Sequence, residues 1–245
     1  MSQAQFQLKA LSFGYRLGQL VLDGLDLPVM PGDALALSGG NGSGKTTLLH
    51  LMVGLLKPSS GVVEAFGQVR TRERDFHEVR ARAGLLFQDP DDQLFCSTVA
   101  EDVAFGPLNL GKPRAEAEAI AAATLRELGL AGFERKNTHS LSGGEKRLVS
   151  LAAVLAMDPE VLLFDEPTNG LDDATRDRLT QLVRESPRSK VVVSHDRAFL
   201  EAVATTELRL EGGRLRRAAH DGEDVGGRTQ GTQETRKTQK KRGDF

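Results

Sequence analysis

Apolar positions along this chain come in two textures. Short runs rich in Val, Leu and Phe fall at 7–11, 21–27, 34–37, 84–87, 161–164 and 190–193, lengths that suit strands rather than helices. Longer stretches at 45–55, 114–128, 144–157, 173–185 and 197–204 repeat apolar residues at three- and four-residue spacing and predict helices. Alternation of the two predicts an α/β fold, a mostly parallel sheet with helices on its faces. From 89 to 136 no strand pattern occurs, so a helical subdomain is expected inside the α/β core, spanning about 89–157. From about 218 the pattern stops. Between His220 and Phe245 only Val225 and Phe245 offer a sizeable apolar side chain, too little to offset the entropy of ordering, so 218–245 reads as a disordered polar tail.

Composition narrows the class. A chain of 245 residues, 39% hydrophobic and 27% charged, suits one large globular domain or a core with a satellite. No apolar run approaches the ~18 residues of a membrane span, and the start MSQAQFQLKALSF lacks the basic and apolar blocks of a targeting segment. The expected compartment is the cytoplasm. The one cysteine, Cys96, permits no internal disulfide and reads as a small, partly buried side chain. A net charge of −2 argues against nucleic acid as the main partner, although residues 214–245 carry +4 and the rest −6. Arg236, Lys237, Lys240, Lys241 and Arg242 in that tail are either simply solvated or in contact with anionic lipid.

The chemistry starts after the third predicted strand. Gly39-Gly40-Asn41-Gly42-Ser43-Gly44-Lys45-Thr46 fits G-x-x-x-x-G-K-[ST], with a buried strand before it and a helix start, Thr47-Leu48-Leu49, after it. Such a loop points backbone N–H groups at phosphates, the helix N-terminus adds positive potential, Lys45 reaches the terminal phosphates and Thr46 offers a hydroxyl to Mg²⁺. The spacing fails the dinucleotide fingerprint G-x-G-x-x-G, because Lys45 stands where its last glycine belongs. The strand 161–164 runs into Asp165-Glu166. Beside a phosphate loop, Asp165 suits the Mg²⁺ shell, and strand alternation turns Glu166 elsewhere, toward a water it can activate. Without that loop the pair would read as a helix cap. Leu141-Ser142-Gly143-Gly144-Glu145 opens the helix 144–157: Ser142 and Glu145 fit a capping box, and a glycine-rich helix start is also an anion site. Two phosphate sites and one nucleotide suggest that the second serves another copy.

With these motifs in this order, the chain resembles the ATP-binding cassette of ABC transporters over about residues 5–217. Gly39–Thr46 is similar to Walker A, Gln88 to the Q-loop, Leu141–Glu145 to the signature, 161–166 to Walker B, 169–172 to the D-loop and His195 to the switch histidine. The resemblance implies a P-loop NTPase with a RecA-like, mostly parallel core, an N-terminal antiparallel β subdomain and the inserted helical subdomain. It implies ATP and Mg²⁺ as ligands. Two cassettes, identical or paralogous, then pack head to tail, each nucleotide lying between Gly39, Gly40, Asn41, Gly42, Ser43, Gly44, Lys45, Thr46 and Thr47 of one and Ser142, Gly143, Gly144 and Glu145 of the other. In that scheme Tyr15 lies against adenine, Thr46, Gln88 and Asp165 serve the metal, Glu166 is the general base and His195 meets the γ-phosphate. Read as anonymous residues, Tyr15 suits core or rim, Gln88 a surface or cap, His195 a structural role and Asp172 the cap of the helix from 173.

Within the family, 88–95 (QDPDDQLF) and 101–111 (EDVAFGPLNLG) look like the energy-coupling factor importers, especially those for cobalt or nickel. That likeness implies an integral membrane subunit, a substrate-capture subunit and a peripheral place on the cytoplasmic face of the membrane. Departures are modest: Lys146 stands where many relatives have Gln, Asn169 where Ala or Ser is commoner, and Asp173 where Pro is frequent. The polar tail is larger, since such relatives often carry a folded C-terminal segment. The rival class is a soluble ABC-type ATPase acting on nucleic acid or ribosomes, which usually carries a coiled-coil insertion or a second cassette. A GTPase is disfavoured because no Asn-Lys-x-Asp occurs.

Overall fold

The computed structural model describes residues 3–16 and 18–217, so the expectation of a disordered tail at 218–245 lies outside the described residues. Two sheets carry the fold. The first is antiparallel, in the order β2-β1-β4-β5, from β1 (Phe6–Phe13), β2 (Leu22–Val29), β4 (Ser60–Ala65) and β5 (Gln68–Arg70). Its edge strand β2 tolerates Pro28 because the missing N–H faces no further strand.

The second sheet has the order β10-β9-β3-β8-β7-β6, formed by β3 (Ala34–Ser38), β6 (Ala83–Leu86), β7 (Val161–Asp165), β8 (Ser189–Val193), β9 (Thr206–Glu211) and β10 (Arg214–Arg217). All its neighbours pair in parallel except the terminal β9–β10 hairpin. Burial on both faces explains why the central strands read as unbroken apolar runs. Alternate residues still divide between two cores. Leu35, Leu37, Leu163, Val191 and Val193 face the antiparallel sheet and the first helix, α1 (Lys45–Met52). Ala36, Leu162, Phe164 and Val192 face the other way, toward α3 (Val99–Asn109), α4 (Arg114–Glu127), α5 (Gly143–Leu155), α6 (Asp173–Glu185) and α7 (Arg197–Val203). Fully burying one such Leu or Phe stabilises by about 1.5–3 kcal/mol.

Several elements were not legible in the chain's periodicity. The short β4, β5, β9 and β10 escaped it, as did α2 (Phe76–Arg82) and α3, whose Gly106-Pro107 interrupts an otherwise helical pattern. Thr98 and Glu101 cap α3 reciprocally, the sequence signal that could have revealed it. Helix α1 ends earlier than the predicted 55, because the chain turns through Gly54 at φ 72° under the ring of Phe76.

Candidate functional site

Parallel pairing brings the C-terminal ends of β3, β7 and β8 to one edge of the sheet, with Asp165 opposite Val193. Crevices outside such strand ends are where open α/β sheets bind ligands. There the chain leaves β3 through the glycine loop and enters α1 at Lys45, with Gly44 at φ 104°. A Cβ at Gly44 would stand 2.7 Å from Val21 Cγ1, so both conformation and space require glycine.

The loop walls a cavity of ≈ 580 Å³ lined by Asn41, Gly42, Ser43, Gly44, Lys45, Thr46 and Thr47, with Tyr15, Gln88, Asp165, Glu166 and His195 across from them. Gly39 and Gly40 lead from β3 into the loop's turn, which Ser43 N–H closes on Gly40 O at 3.2 Å, and the carbonyls of both glycines accept hydrogen bonds from Lys45 Nζ at 2.9 and 3.1 Å. Tyr15 is 64% exposed yet fixed, its ring edge-on to Phe13 at 4.9 Å and its hydroxyl 3.0 Å from Thr47 Oγ1. An exposed aromatic face held at a cavity mouth suits stacking against a flat ring.

Asp165 is buried, and its Oδ1 has no partner. Burial pushes its pKa up, while the Thr46 hydroxyl, His50, Lys45 and Arg147 pull it down. A buried carboxylate oxygen left without a donor fits a cation, as do the neighbouring Thr46 hydroxyl and Gln88 amide. Glu166 departs from the expectation of strand alternation. Its backbone turns through φ 47°, so its carboxylate lines the same cavity as Asp165 instead of facing away. Two hydrogen bonds hold it: Glu166 N–H donates to Val193 O at 2.8 Å and Glu166 Oε2 accepts from His195 N–H at 3.1 Å, while Oε1, 3.4 Å from His195 Nε2, has no hydrogen-bond partner among the described residues. Strain of this kind at a non-glycine residue marks a geometry the surroundings impose.

The signature residues Leu141–Glu145 do not line this cavity. Ser142 and Glu145 close a capping box on α5, with Glu145 N–H donating to Ser142 Oγ at 3.2 Å and Ser142 N–H to Glu145 Oε2 at 2.8 Å. Gly143 is exposed and lines a separate hollow of ≈ 400 Å³, whereas Gly144 packs near Thr175. Gln88 and Asn169 line both hollows. Asp172 caps α6 by accepting from Thr175 N–H at 2.9 Å. Two contributors were missed in the sequence. Asn169, read in the sequence only as part of the D-loop, lines the main cavity. Arg147 is 2% exposed, and a charge in the first turns of a helix ordinarily reads as solvated.

The family model for ABC transporters matches residues 22–169. The chain belongs to the ABC transporter family. Among curated relatives, this cassette is 52% identical over 200 residues to a putative ABC transporter ATP-binding protein of Brucella suis, covering 82% of this chain and 83% of that one. It is 41% identical over 213 residues to the energy-coupling factor transporter ATP-binding protein EcfA of Methanothermobacter thermautotrophicus, covering 85% and 68%. Among solved structures, the cassette overlays CbiO1 of Clostridium perfringens, part of the ABC transporter complex CbiONQ, with TM-score 0.76 and 32% identity over 87% of each chain. It also overlays the dimeric post-hydrolysis structure of the ATP-binding cassette MJ0796 bound to ADP and Pi, with TM-score 0.79 and 26% identity over 87% of this chain and 97% of that one. The cassette is therefore an ABC ATPase, the ATP-binding subunit of a transporter. Among the described residues no helix is long and apolar enough to cross a membrane.

Proposed function

We propose that this cassette powers an importer of the energy-coupling factor type, with cobalt or nickel ions as cargo, from the cytoplasmic face of the membrane. In this reading residues 5–217 act as one nucleotide-binding unit whose helical part is about 89–157. The observation that carries its ATP-driven half is the split site. The cavity gathers the phosphate loop, Gln88, Asp165, Glu166 and His195, while the glycine-rich start of α5 stands outside it, with nothing within 4 Å of a Cβ built on Gly143. A second cassette packed head to tail supplies the missing wall.

Each residue then has a task set by its chemistry. The N–H groups of 39–47 and the Lys45 ammonium hold the triphosphate, and the exposed face of Tyr15 meets the base. Ser142, Gly143, Gly144 and Glu145 of the second copy close over the phosphates from the opposite side. Thr46, Gln88 and Asp165 would hold Mg²⁺, which when bound neutralises charge on the phosphate oxygens. Glu166 takes the proton of the attacking water, and the backbone N–H of His195 at 3.1 Å keeps its carboxylate aimed. His195, its side chain 54% exposed beside Glu166, steadies the γ-phosphate. Phosphoryl transfer leaves the protein mainly positioning and electrostatic work, and this arrangement provides both.

The transport half rests on the helical segment. Phe95, Phe105, Leu108 and Leu110 are all exposed, and the first two rings stack edge to face at 4.7 Å. They lie in the two stretches that look like energy-coupling factor importers, where an integral membrane subunit would dock and a substrate-capture subunit would complete the transporter. The test is uptake of radiolabelled Co²⁺ or Ni²⁺ by cells carrying the parent or Glu166→Gln, with affinity purification from solubilised membranes. Loss of uptake with the variant and recovery of a membrane subunit with the parent uphold the reading. Recovery of nucleic acid or ribosomes instead overturns it.

A further inference from the structure

The chain leaving β6 is held by α5 and not by the sheet. Strand pairing with β7 stops at Leu86 and Phe164, just before the chain reaches Phe87 and Gln88. From there on, side chains from or bound to α5 take over. The Arg147 guanidinium donates through Nη1 to Phe87 O and through Nη2 to Gln88 O. Phe87 N–H donates to Gln93 Oε1 at 3.3 Å, and Gln93 Nε2 donates to Ser150 O on α5 at 3.1 Å. Lys146 Nζ lies 2.5 Å from Asp91 Oδ1. Arg147 is the buried cation of this set. A planar fork placed on two successive carbonyls fixes both peptide planes, which a flexible ammonium does less well.

The two ends of this connection are the two halves of the split site. Gln88 extends from the gripped peptide into the nucleotide cavity, and Gly143-Gly144 open the helix on which Arg147 stands. We propose that Arg147 is a positioning residue that sets the entry of Gln88 into its own cavity and ties that cavity's occupancy to the placement of the glycine pair offered to a second copy. The inference rests on the head-to-tail reading above. Burial holds the Arg147 guanidinium below its ordinary pKa, and the charges of Asp89 and Asp165 oppose that shift. Arg147 Nε has no partner, so the side chain is placed for its two carbonyls rather than for full hydrogen bonding of its own.

The test is a double-mutant cycle of Arg147→Met with Gln88→Ala, read as the kcat, KM and Hill coefficient of ATP hydrolysis, with melting temperature as the check on folding. Arg147→Met lowers kcat about tenfold or more, shifts KM less than about threefold and brings the Hill coefficient to about 1. On the Gln88→Ala background the same substitution changes kcat less than about twofold, because both act through one group. Arg147→Lys recovers part of the parent kcat and Hill coefficient, and it takes the place of Arg147→Met in the cycle should the latter not fold. Additive effects in the cycle, or a folded Arg147→Met with parental kcat and Hill coefficient, overturn the inference. ATP-driven dimerisation of the Glu166→Gln protein is measured alongside. Absence of pairing there overturns the head-to-tail reading itself, and pairing with an additive cycle overturns only the role of Arg147.

Discussion

Gly143→Leu separates a site completed by a second copy from one that a single chain completes. Gly143 is exposed, its φ is not positive, and a Cβ built on it meets nothing within 4 Å. Within one chain, then, the larger side chain meets no obstacle and strains no backbone. Replacing a helical glycine reduces the freedom of the unfolded chain and stabilises by about 0.4–1 kcal/mol, a rise in melting temperature of about 1–4 °C for a domain of this size. In the head-to-tail pair the same isobutyl group projects at the phosphates of the neighbour's nucleotide. The expected outcome is a protein that melts at or above the parent temperature, binds ATP as a monomer, and has lost at least about 99% of turnover, the scale of removing a preorganised oxyanion donor. Mixing settles which copy supplies what. Gly143→Leu and Lys45→Ala are each inactive alone, but a one-to-one mixture forms pairs with one complete site. Random pairing gives half of the pairs one complete site of two, so the mixture restores up to about one quarter of parental activity. A Gly143→Leu protein that hydrolyses at the parental rate, or a mixture as inactive as its components, refutes the argument.

Glu166→Gln keeps ATP and stabilises the nucleotide-bound pair while slowing turnover about 10²–10⁴-fold, measured by single-turnover hydrolysis and gel filtration with ATP. Gly44→Ala forces a Cβ to 2.7 Å from Val21 Cγ1 and 3.0 Å from Leu22 Cδ2 at φ 104°, so titration with a fluorescent ATP analogue reads at least about a tenfold loss of affinity. Glu145→Ala probes the pH dependence of the α5 cap. The Ser142 backbone N–H and then Lys136 hold the Glu145 carboxyl below its ordinary range. A depressed carboxylate contributes stability that is present above the unfolded-state pKa and lost as pH falls through the folded one. The parent should therefore exceed the variant by about 0.5–1 kcal/mol at pH 7, the value of a partly exposed cap, in urea unfolding. The charge-dependent part of that gap shrinks once the pH drops below the usual carboxylate value; a constant gap down to acid pH contradicts the assignment.

Local chemistry made the principal site legible from the chain alone. A glycine loop needs its residues consecutive, a Walker-type strand needs its carboxylates at the strand end, and a capping box needs its Ser142 and Glu145 three apart, so the signals for Lys45, Thr46, Asp165 and Glu166 sit within a few neighbouring positions. The central strands were legible because burial on both faces leaves no polar interruption. The weaker signals were those of half-exposed edges. The β9–β10 hairpin alternates Leu208 and Leu210 with charges around a Gly212-Gly213 turn, a pattern that sequence could have shown but whose apolar content is low.

What tertiary structure decided has a common cause: it depends on groups far apart in the chain meeting at fixed distances. Alternation along a strand predicts Glu166 on the face opposite Asp165, yet some thirty positions on Val193 O holds its backbone at φ 47° and His195 N–H holds its carboxylate, which brings both carboxylates into one cavity. Arg147 carried no local mark, because its role comes from carbonyls 60 and 59 positions earlier, delivered to it by the packing of β6 against α5. Residue types and spacings named the chemistry that this chain carries. Only the packed sheet and helices determined which of those groups share a cavity and which are left facing outward.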